Sequence, residues 1–173
     1  MTDQNSPLSI RKATQFDIQA IQDIAYKTWP SAYKEILTAE ALNYMLSFFY
    51  SAEALKQQMN DGQQFFIAEL NNNAFGFGAV SRYDETTFKL NKLYVLPHIQ
   101  KTGAGKALMN YAVDLSKSQG AKSFILNVNR FNPAKFFYEK RGFQILKEED
   151  IDLGNGIVQE DYVMGIEIEN YHY

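Results

Sequence analysis

Apolar residues recur along this chain with two periods, which predict strands and helices in a mixed order. Alternation at every second position, or a short apolar run between turn residues, is typical of a strand, whereas a spacing of three or four is typical of an amphipathic helix. The strand pattern occupies residues 8–13, 65–70, 74–83, 87–96, 124–128, 143–147 and 157–168. The helical pattern occupies residues 14–29, 38–46, 51–62, 105–120 and 132–142. An α/β protein is therefore predicted.

Residues that favour helix ends support these boundaries. Thr14 and Asp17 resemble a capping box at the start of the first helix, and Pro30 predicts that this helix ends near Trp29. Gly142 is suited to the position after a helix. Since no linker, repeat or low-complexity tract divides the elements, residues 1–173 are expected to fold as one domain.

Composition argues against several classes of function. The formal net charge is −3 and no dense run of Lys or Arg occurs, so nucleic acid and anionic membranes are not expected partners. With no cysteine and two histidines, a catalytic thiol or a metal site is not expected. The N-terminus lacks the features of a signal peptide, and no apolar run is long enough to span a bilayer. A soluble cytoplasmic protein is therefore expected.

The segment from Leu93 to Leu108 carries the most chemical information. An apolar strand ends in Val95-Leu96-Pro97, a polar turn follows, and Gly103 and Gly105 open a helix. Unpaired N–H groups and a partial positive charge at a helix start favour an anion, and glycine lets the anion approach the backbone closely. The segment is therefore predicted to bind a phosphate group.

Two common phosphate-binding motifs do not fit this segment. A nucleoside-triphosphate P-loop requires a glycine where Gln100 stands and a hydroxyl residue where Ala107 stands. A dinucleotide fingerprint requires a small residue three positions after Gly105, and that position is Leu108. The glycines therefore belong to another kind of site.

The order Gln100-x-x-Gly103-x-Gly105, after a strand ending in Val-x-Pro, resembles the acyl-coenzyme A signature of the GNAT superfamily of N-acetyltransferases. A second segment strengthens the resemblance. Residues 132–143 are similar to the helical segment with Asn, Phe-Tyr and Gly-Phe that follows the next strand in those enzymes. Two matches in the right order are more specific than either one, and together they extend from residue 88 to residue 143.

The resemblance implies a fold and a position for the cofactor. The expected fold is a mixed, mostly antiparallel central sheet of six or seven strands flanked by helices. Strands 87–96 and 124–128 would splay apart, and acetyl-CoA would lie in the wedge between them. The cofactor-binding residues implied in this way are Leu93, Tyr94, Val95, Gln100, Lys101, Thr102, Gly103, Ala104, Gly105, Lys106, Asn132, Ala134, Phe137 and Tyr138.

The same resemblance implies an acetyl-CoA-dependent N-acetyltransferase that needs no metal. Tyr138 would be the catalytic acid that protonates the leaving thiolate. A backbone N–H near Val95 would stabilise the oxyanion that forms when an amine attacks the thioester. The general base stays open, because Lys89 stands where related enzymes carry a glutamate.

The acceptor is expected to be a primary amine on a small molecule such as a polyamine. The segment Trp29-Pro-x-x-Tyr33 resembles the corresponding segment of a bacterial subgroup related to polyamine acetyltransferases. Four aromatic residues are expected to line the acceptor pocket: Trp29, Tyr33, Tyr50 and Tyr162. A protein or peptide amine is an alternative acceptor, and a non-catalytic acyl-CoA-binding regulatory module is an alternative function. The oligomeric state stays open, a homodimer included.

Overall fold

The structure is a computed structural model that describes residues 8–173. The expectations that the first seven residues lack a signal peptide and belong to the domain lie outside the described residues. Seven strands form one sheet in the order β1-β2-β3-β4-β5-β7-β6. The strands are β1 Ser9–Lys12, β2 Gln64–Leu70, β3 Asn73–Arg82, β4 Thr87–Val95, β5 Ser123–Asn129, β6 Gln144–Gly154 and β7 Ile157–Glu167. The α-helices are α1 Ile18–Tyr33, α2 Ala39–Tyr50, α3 Ala52–Asn60, α4 Ala104–Ser118 and α5 Ala134–Lys140. The predicted α/β class is confirmed.

The centre of the sheet opens into a wedge. Every neighbouring pair of strands is antiparallel except β4 and β5, which are parallel. Their pairing joins residues 87–90 of β4 to residues 123–126 of β5 and goes no further, although β4 continues to Val95 and β5 to Asn129. The predicted splayed strand pair is therefore present, and one edge of β4 is unpaired along residues 91–95.

Helices cover both faces of this sheet. On one face α4 packs so closely against β3 that a Cβ added at Gly76 would lie 2.9 Å from the Leu108 side chain. On the other face α1 and α2 contribute aromatic rings, and the Tyr50 ring lies 6.0 Å from that of Phe77. Tyr94 of β4 faces this second side, with its ring 5.7 Å from that of Phe77. The wedge is thus bordered by α1 and α2 on the Tyr94 side.

The first helix is longer than its sequence predicts. It continues through Pro30 to Tyr33, which makes the predicted end near Trp29 wrong. Proline lacks the N–H that would bond to the carbonyl four residues earlier, here that of Tyr26. Because Tyr26 and Pro30 both lie on the exposed face, water can bond to this carbonyl instead. The extra turn brings Tyr33 to the wedge.

The sixth strand is also longer than predicted, because it extends to Gly154 rather than to residue 147. Its second half is mostly acidic, and Ile151 and Leu153 are the only apolar side chains in residues 148–154, too short an alternation to predict a strand. Backbone pairing with β7 forms it nevertheless. The Arg130 guanidinium offsets the charge repulsion, since it lies 2.6 Å from Asp150 and 3.6 Å from both Glu148 and Glu160.

The predicted capping box at Thr14 and Asp17 is confirmed. The Thr14 N–H donates to the Asp17 carboxylate at 2.8 Å, and the Thr14 hydroxyl accepts from the Phe16 N–H at 3.3 Å. Arg11 donates to the same carboxylate at 2.8 and 3.0 Å. This guanidinium, together with the Thr14 N–H, lowers the pKa of Asp17 below its usual range.

We therefore expect Asp17→Asn to lower the free energy of unfolding by about 1 kcal/mol near neutral pH. A carboxyl with a lowered folded-state pKa stabilises the fold above its unfolded pKa of about 3.9, and this contribution is lost as the pH falls through the folded-state pKa. The difference between the two proteins should thus shrink in acid. Urea unfolding at neutral and acidic pH measures it, and the exposed Asp23→Asn serves as the control.

Candidate active site

A cavity of about 1130 Å³ lies in the wedge where β4 and β5 separate. It is lined by residues 89–95 of β4 and 127–129 of β5, and by side chains from α1, α2, α5 and the start of α4. This volume is that of a site for a ligand larger than most drug molecules. The cavity joins the predicted phosphate-binding turn to the aromatic residues of α1 and α2.

One end of the cavity is the start of α4. Gly103 precedes the helix with φ of +88°, in the left-handed region that favours glycine, and Lys101 is also left-handed, with φ of +66°. The Gln100 amide donates to the Val95 carbonyl at 3.1 Å and so ties the turn to the end of β4. The predicted residues that line the cavity here are Gln100, Lys101, Gly103, Gly105 and Lys106.

Two predicted residues in this turn do not contribute side chains to the cavity. The Thr102 hydroxyl donates to the Ile99 carbonyl, and the Ala104 methyl group is buried beneath the helix. Their backbone N–H groups still belong to the helix start, where the first amides lack intrahelical partners. An anion at this end would therefore meet backbone amides together with Lys101 and Lys106.

The unpaired edge of β4 forms one wall of the cavity. Leu93, Tyr94 and Val95 pair with β3 on one side only. The Leu96 N–H donates toward β3, to the Phe75 carbonyl at 2.8 Å, so the alternation of the strand turns the Val95 N–H toward the wedge. An extended chain with amide groups could pair with this edge as an added strand does.

Tyr138 lies on the opposite wall, in α5. The Asn132 side chain accepts from the Ala134 N–H at 2.9 Å and so fixes the start of this helix. The Tyr138 ring packs edge-on against Phe137 and Phe143, and only 8% of the residue is exposed. Burial raises the pKa of the Tyr138 hydroxyl, which therefore keeps its proton at neutral pH.

Three of the four predicted acceptor-pocket residues lie together. The Trp29 ring is 4.7 Å from the Tyr33 ring and 5.7 Å from the Tyr50 ring, and all three residues line the cavity. The Tyr33 hydroxyl lies 3.1 Å from that of Tyr94. Burial raises the pKa of both hydroxyls, which stay protonated. These rings form the wall on the α1 side.

Tyr162 does not line this cavity, so the structure does not bring it to the predicted pocket. Its ring lies instead against Lys135, whose Nζ is 5.4 Å from the ring centroid. Successive side chains of a strand point to opposite faces, and the preceding residue, Asp161, lines the cavity. Asp161 therefore occupies the place that the sequence analysis gives to Tyr162.

Asp161 is buried, with 1% of the residue exposed. Its carboxylate accepts hydrogen bonds from the side-chain amides of Asn127 and Gln159. Burial raises its pKa above the usual range for Asp. Among the cavity residues of the described chain, it is the only carboxylate.

Lys92 is a buried cation on the α1 and α2 side of β4, with 8% of the residue exposed. Its Nζ lies 5.6 to 6.0 Å from the ring centroids of Phe65, Tyr50 and Phe49. Burial, aided by the nearby charge of Lys89, lowers its pKa to about 8. Sequence reasoning missed Lys92 and Asp161, although a charged residue within an apolar strand pattern is a signal that could have found both.

A comparison with models of protein families identifies the family of this chain. The model described as "Acetyltransferase (GNAT) domain" matches residues 33–164, about three quarters of the chain. The chain belongs to the GNAT family of acetyltransferases. It is an acetyl-CoA-dependent N-acetyltransferase, and the fold and enzyme class predicted from its sequence are confirmed.

Individual GNAT relatives extend the comparison. A spermidine N(1)-acetyltransferase from Thermoplasma acidophilum is 27% identical over 161 residues, which cover 90% of this chain and 98% of the relative. A [ribosomal protein bS18]-alanine N-acetyltransferase from Haemophilus influenzae is 34% identical over 87 residues, or 49% of this chain and 58% of the relative. The crystal structure of a PaiA N-acetyltransferase from Thermoplasma acidophilum with coenzyme A has a TM-score of 0.78 and 25% identity, covering 93% and 99% of the two chains.

Arg141 is a further cavity residue of this GNAT domain that the motifs do not name. Its guanidinium carbon lies 4.5 Å from the centroid of the Phe137 ring, and its Nε is buried without a hydrogen-bond partner among the described residues. A cation here adds to the positive charge of Lys101 and Lys106. Within residues 8–173, no cluster of three acidic or histidine side chains that could hold a metal occurs, and no helix is long and apolar enough to cross a membrane.

Proposed function

We propose that this enzyme binds acetyl-CoA along the wedge and transfers the acetyl group to a primary amine that enters beneath α1 and α2. The observation that carries the proposal is the unpaired edge of β4. It lies between a helix start suited to phosphate and a buried, protonated Tyr138, all on one cavity. The coenzyme A bound to the structural relative named above supports this assignment of the cofactor.

The residues fit the chemical parts of coenzyme A. Its pyrophosphate matches the α4 start, where backbone amides are joined by Lys101 and Lys106. The pantetheine amides match the edge of β4 along residues 93–95, which faces the wedge and has no strand partner there. Asn132, Ala134 and Phe137 would border the pantetheine arm from the α5 side, and all three line the cavity.

Acetyl transfer requires that the negative charge on the carbonyl oxygen be stabilised and that the leaving sulfur be protonated. When bound, acetyl-CoA supplies an acetyl thioester that an amine can attack. The Val95 N–H is oriented to donate to the carbonyl oxygen as negative charge develops there. Tyr138 holds a proton at its hydroxyl oxygen for the leaving sulfur, and its burial keeps that proton in place until transfer.

The amine must lose a proton before it attacks, because an alkylamine has a pKa of about 10.4. Asp161 is the candidate that attracts the ammonium group and accepts its proton, directly or through water. Its burial and raised pKa make it a better base than an exposed aspartate. Lys89 also lines the cavity, but it carries no carboxylate, so we assign the role of general base to Asp161.

The relatives name two kinds of acceptor. The spermidine acetyltransferase supports a polyamine, as the sequence predicts, whereas the ribosomal-protein acetyltransferase supports a protein N-terminus. The first match covers nearly the whole of both chains, which favours a small-molecule amine.

We further propose that residues 1–173 act as a single domain, and a homodimer stays a prediction.

A thiol-release assay tests this function. Wild-type protein is mixed with acetyl-CoA and a panel of polyamines, amino acids, simple amines and short peptides, and free coenzyme A is measured over time. We expect at least one class of amine to accelerate thiol release well above background hydrolysis. Tight coenzyme A binding without acceleration by any amine would instead favour the non-catalytic regulatory module.

A further inference from the structure

The cavity contains a buried positive charge that the proposed acetyl transfer does not use. Lys92 lies within the sheet side of the cavity, and no carboxylate among the described residues comes within 4.0 Å of its Nζ. Its one hydrogen bond is a long one, from Nζ to the Gln63 side-chain oxygen at 3.4 Å. An ammonium group has three donors, so Lys92 has unused hydrogen-bonding capacity at a cavity wall.

Such an arrangement is costly unless something compensates for it. Burying an unpaired ammonium group is unfavourable because the group loses its hydration, and the surrounding aromatic faces offset part of this cost through cation–π attraction. The residues that match the coenzyme A phosphates, Lys101 and Lys106, lie at the other end of the cavity at the α4 start. The phosphates of the cofactor are therefore not placed to supply an anion at Lys92, which leaves the acceptor as its source.

Aromatic residues surround Lys92 on this side of the sheet. The Lys92 Nζ lies 5.7 Å from the centroid of the Tyr50 ring, and the Tyr50 ring lies 5.7 Å from that of Trp29, which also lines the cavity. Aromatic faces attract a cation but accept no strong hydrogen bond from it. The hydrogen-bonding capacity of Lys92 is therefore not used by these neighbours.

The opposite charge is present as well, but at a separate place. Asp161 is the only carboxylate among the described cavity residues, and it is more than 4.0 Å from Lys92. A polyamine carries several cations and would meet one carboxylate and two lysines, Lys89 and Lys92. A molecule with one ammonium and one anionic group would match Asp161 and Lys92 at the same time.

We propose that the acceptor amine also carries a carboxylate, as an amino acid does, and that Lys92 binds this carboxylate while the amine faces the acetyl group. The inference rests on the proposed function, because it assigns the acceptor class of the same site. Lys92 is a specificity-determining residue in this account. The carboxylate supplies the anionic partner that Lys92 lacks among the described residues.

Matched acceptors test this assignment. We would measure kcat/KM for leucine, leucinamide and 3-methylbutylamine, for 4-aminobutyrate and butylamine, and for spermidine. The wild-type enzyme should prefer an acceptor with a carboxylate over its counterpart without one by about tenfold or more, the value of a charge-assisted hydrogen bond. In Lys92→Met this preference should fall to near one. Lys135→Met, which removes a lysine outside the cavity, should keep the wild-type preference.

The outcomes distinguish a failure of the carboxylate assignment from a failure of the proposed acetyl transfer. Methionine has a similar length and no charge, and replacing a buried ion by an apolar residue often stabilises a protein, so urea unfolding should find Lys92→Met folded. Efficient acetylation of spermidine or of the amines without a carboxylate, with no preference for a carboxylate acceptor, overturns the inference alone. An unchanged preference in Lys92→Met also overturns it. No thiol release with any amine overturns the proposed function and the inference together.

Discussion

Replacing Tyr138 by phenylalanine should lower kcat by at least about 100-fold, the usual contribution of a positioned acid or base. Without the hydroxyl, the sulfur leaves as a thiolate with no positioned acid to protonate it. The dissociation constant for coenzyme A should change by no more than about twofold, because the ring still packs against Phe137 and Phe143. Steady-state kinetics and calorimetric titration with coenzyme A measure the two quantities.

Tyr111→Phe provides the matched control for this prediction. Tyr111 lies on α4, outside the cavity, with its ring 5.0 Å from that of Phe66. The same hydroxyl is removed from a tyrosine of the same chain, so kcat should stay close to that of the wild type. Equal turnover in Tyr138→Phe and Tyr111→Phe would remove Tyr138 from the role of acid.

Gly105→Val should weaken coenzyme A binding by about 10- to 100-fold, the effect of a few kcal/mol of steric conflict. Gly105 is the second residue of α4 and lines the cavity at the predicted phosphate position. A Cβ added there would meet only the Phe137 ring, at 3.9 Å, so the fold itself has room for it. The same side chain would occupy space that the bound cofactor needs. Valine should also leave the free energy of unfolding unchanged or slightly higher, since glycine is a poor helix former.

Gly120→Ala is expected to do the reverse. Gly120 follows α4 at its far end with φ of +90°, a conformation that an L-residue adopts with strain. The substitution should lower the free energy of unfolding by about 1 kcal/mol and leave coenzyme A affinity unchanged. Titration calorimetry and urea unfolding on both variants give four values. A Gly105→Val protein that binds coenzyme A like the wild type would contradict the position assigned to the phosphates.

Local patterns predict much of this fold because they depend on neighbouring residues. The capping box at Thr14 and the left-handed glycines at 103 and 142 can be recognised within a few positions of sequence. The end of α1 could not, because Pro30 is tolerated only where its missing hydrogen bond faces water. The acidic half of β6 could not either, because its pairing with β7 and its contacts with Arg130 join residues far apart in the chain.

The same distinction applies to the site. The residues of the two motifs line the cavity in large part because each motif is continuous in sequence. The acceptor end is assembled from α1, β4 and β7, and there a one-residue choice of strand face decides whether Asp161 or Tyr162 enters. Lys92 is the clearest case, since its place within an apolar strand pattern marks it as unusual, but its burial depends on packing against Phe49, Tyr50 and Phe65, which lie far from it in the sequence.

The fate of the acetyl group tests the proposed acetyl transfer directly. Wild-type enzyme is incubated with acetyl-CoA labelled in the acetyl carbons and with the amine panel, and the products are separated and identified by mass spectrometry. We expect one labelled N-acetylated amine for each coenzyme A released. Release of coenzyme A with the label found only in free acetate, or no release with any amine, would contradict this expectation.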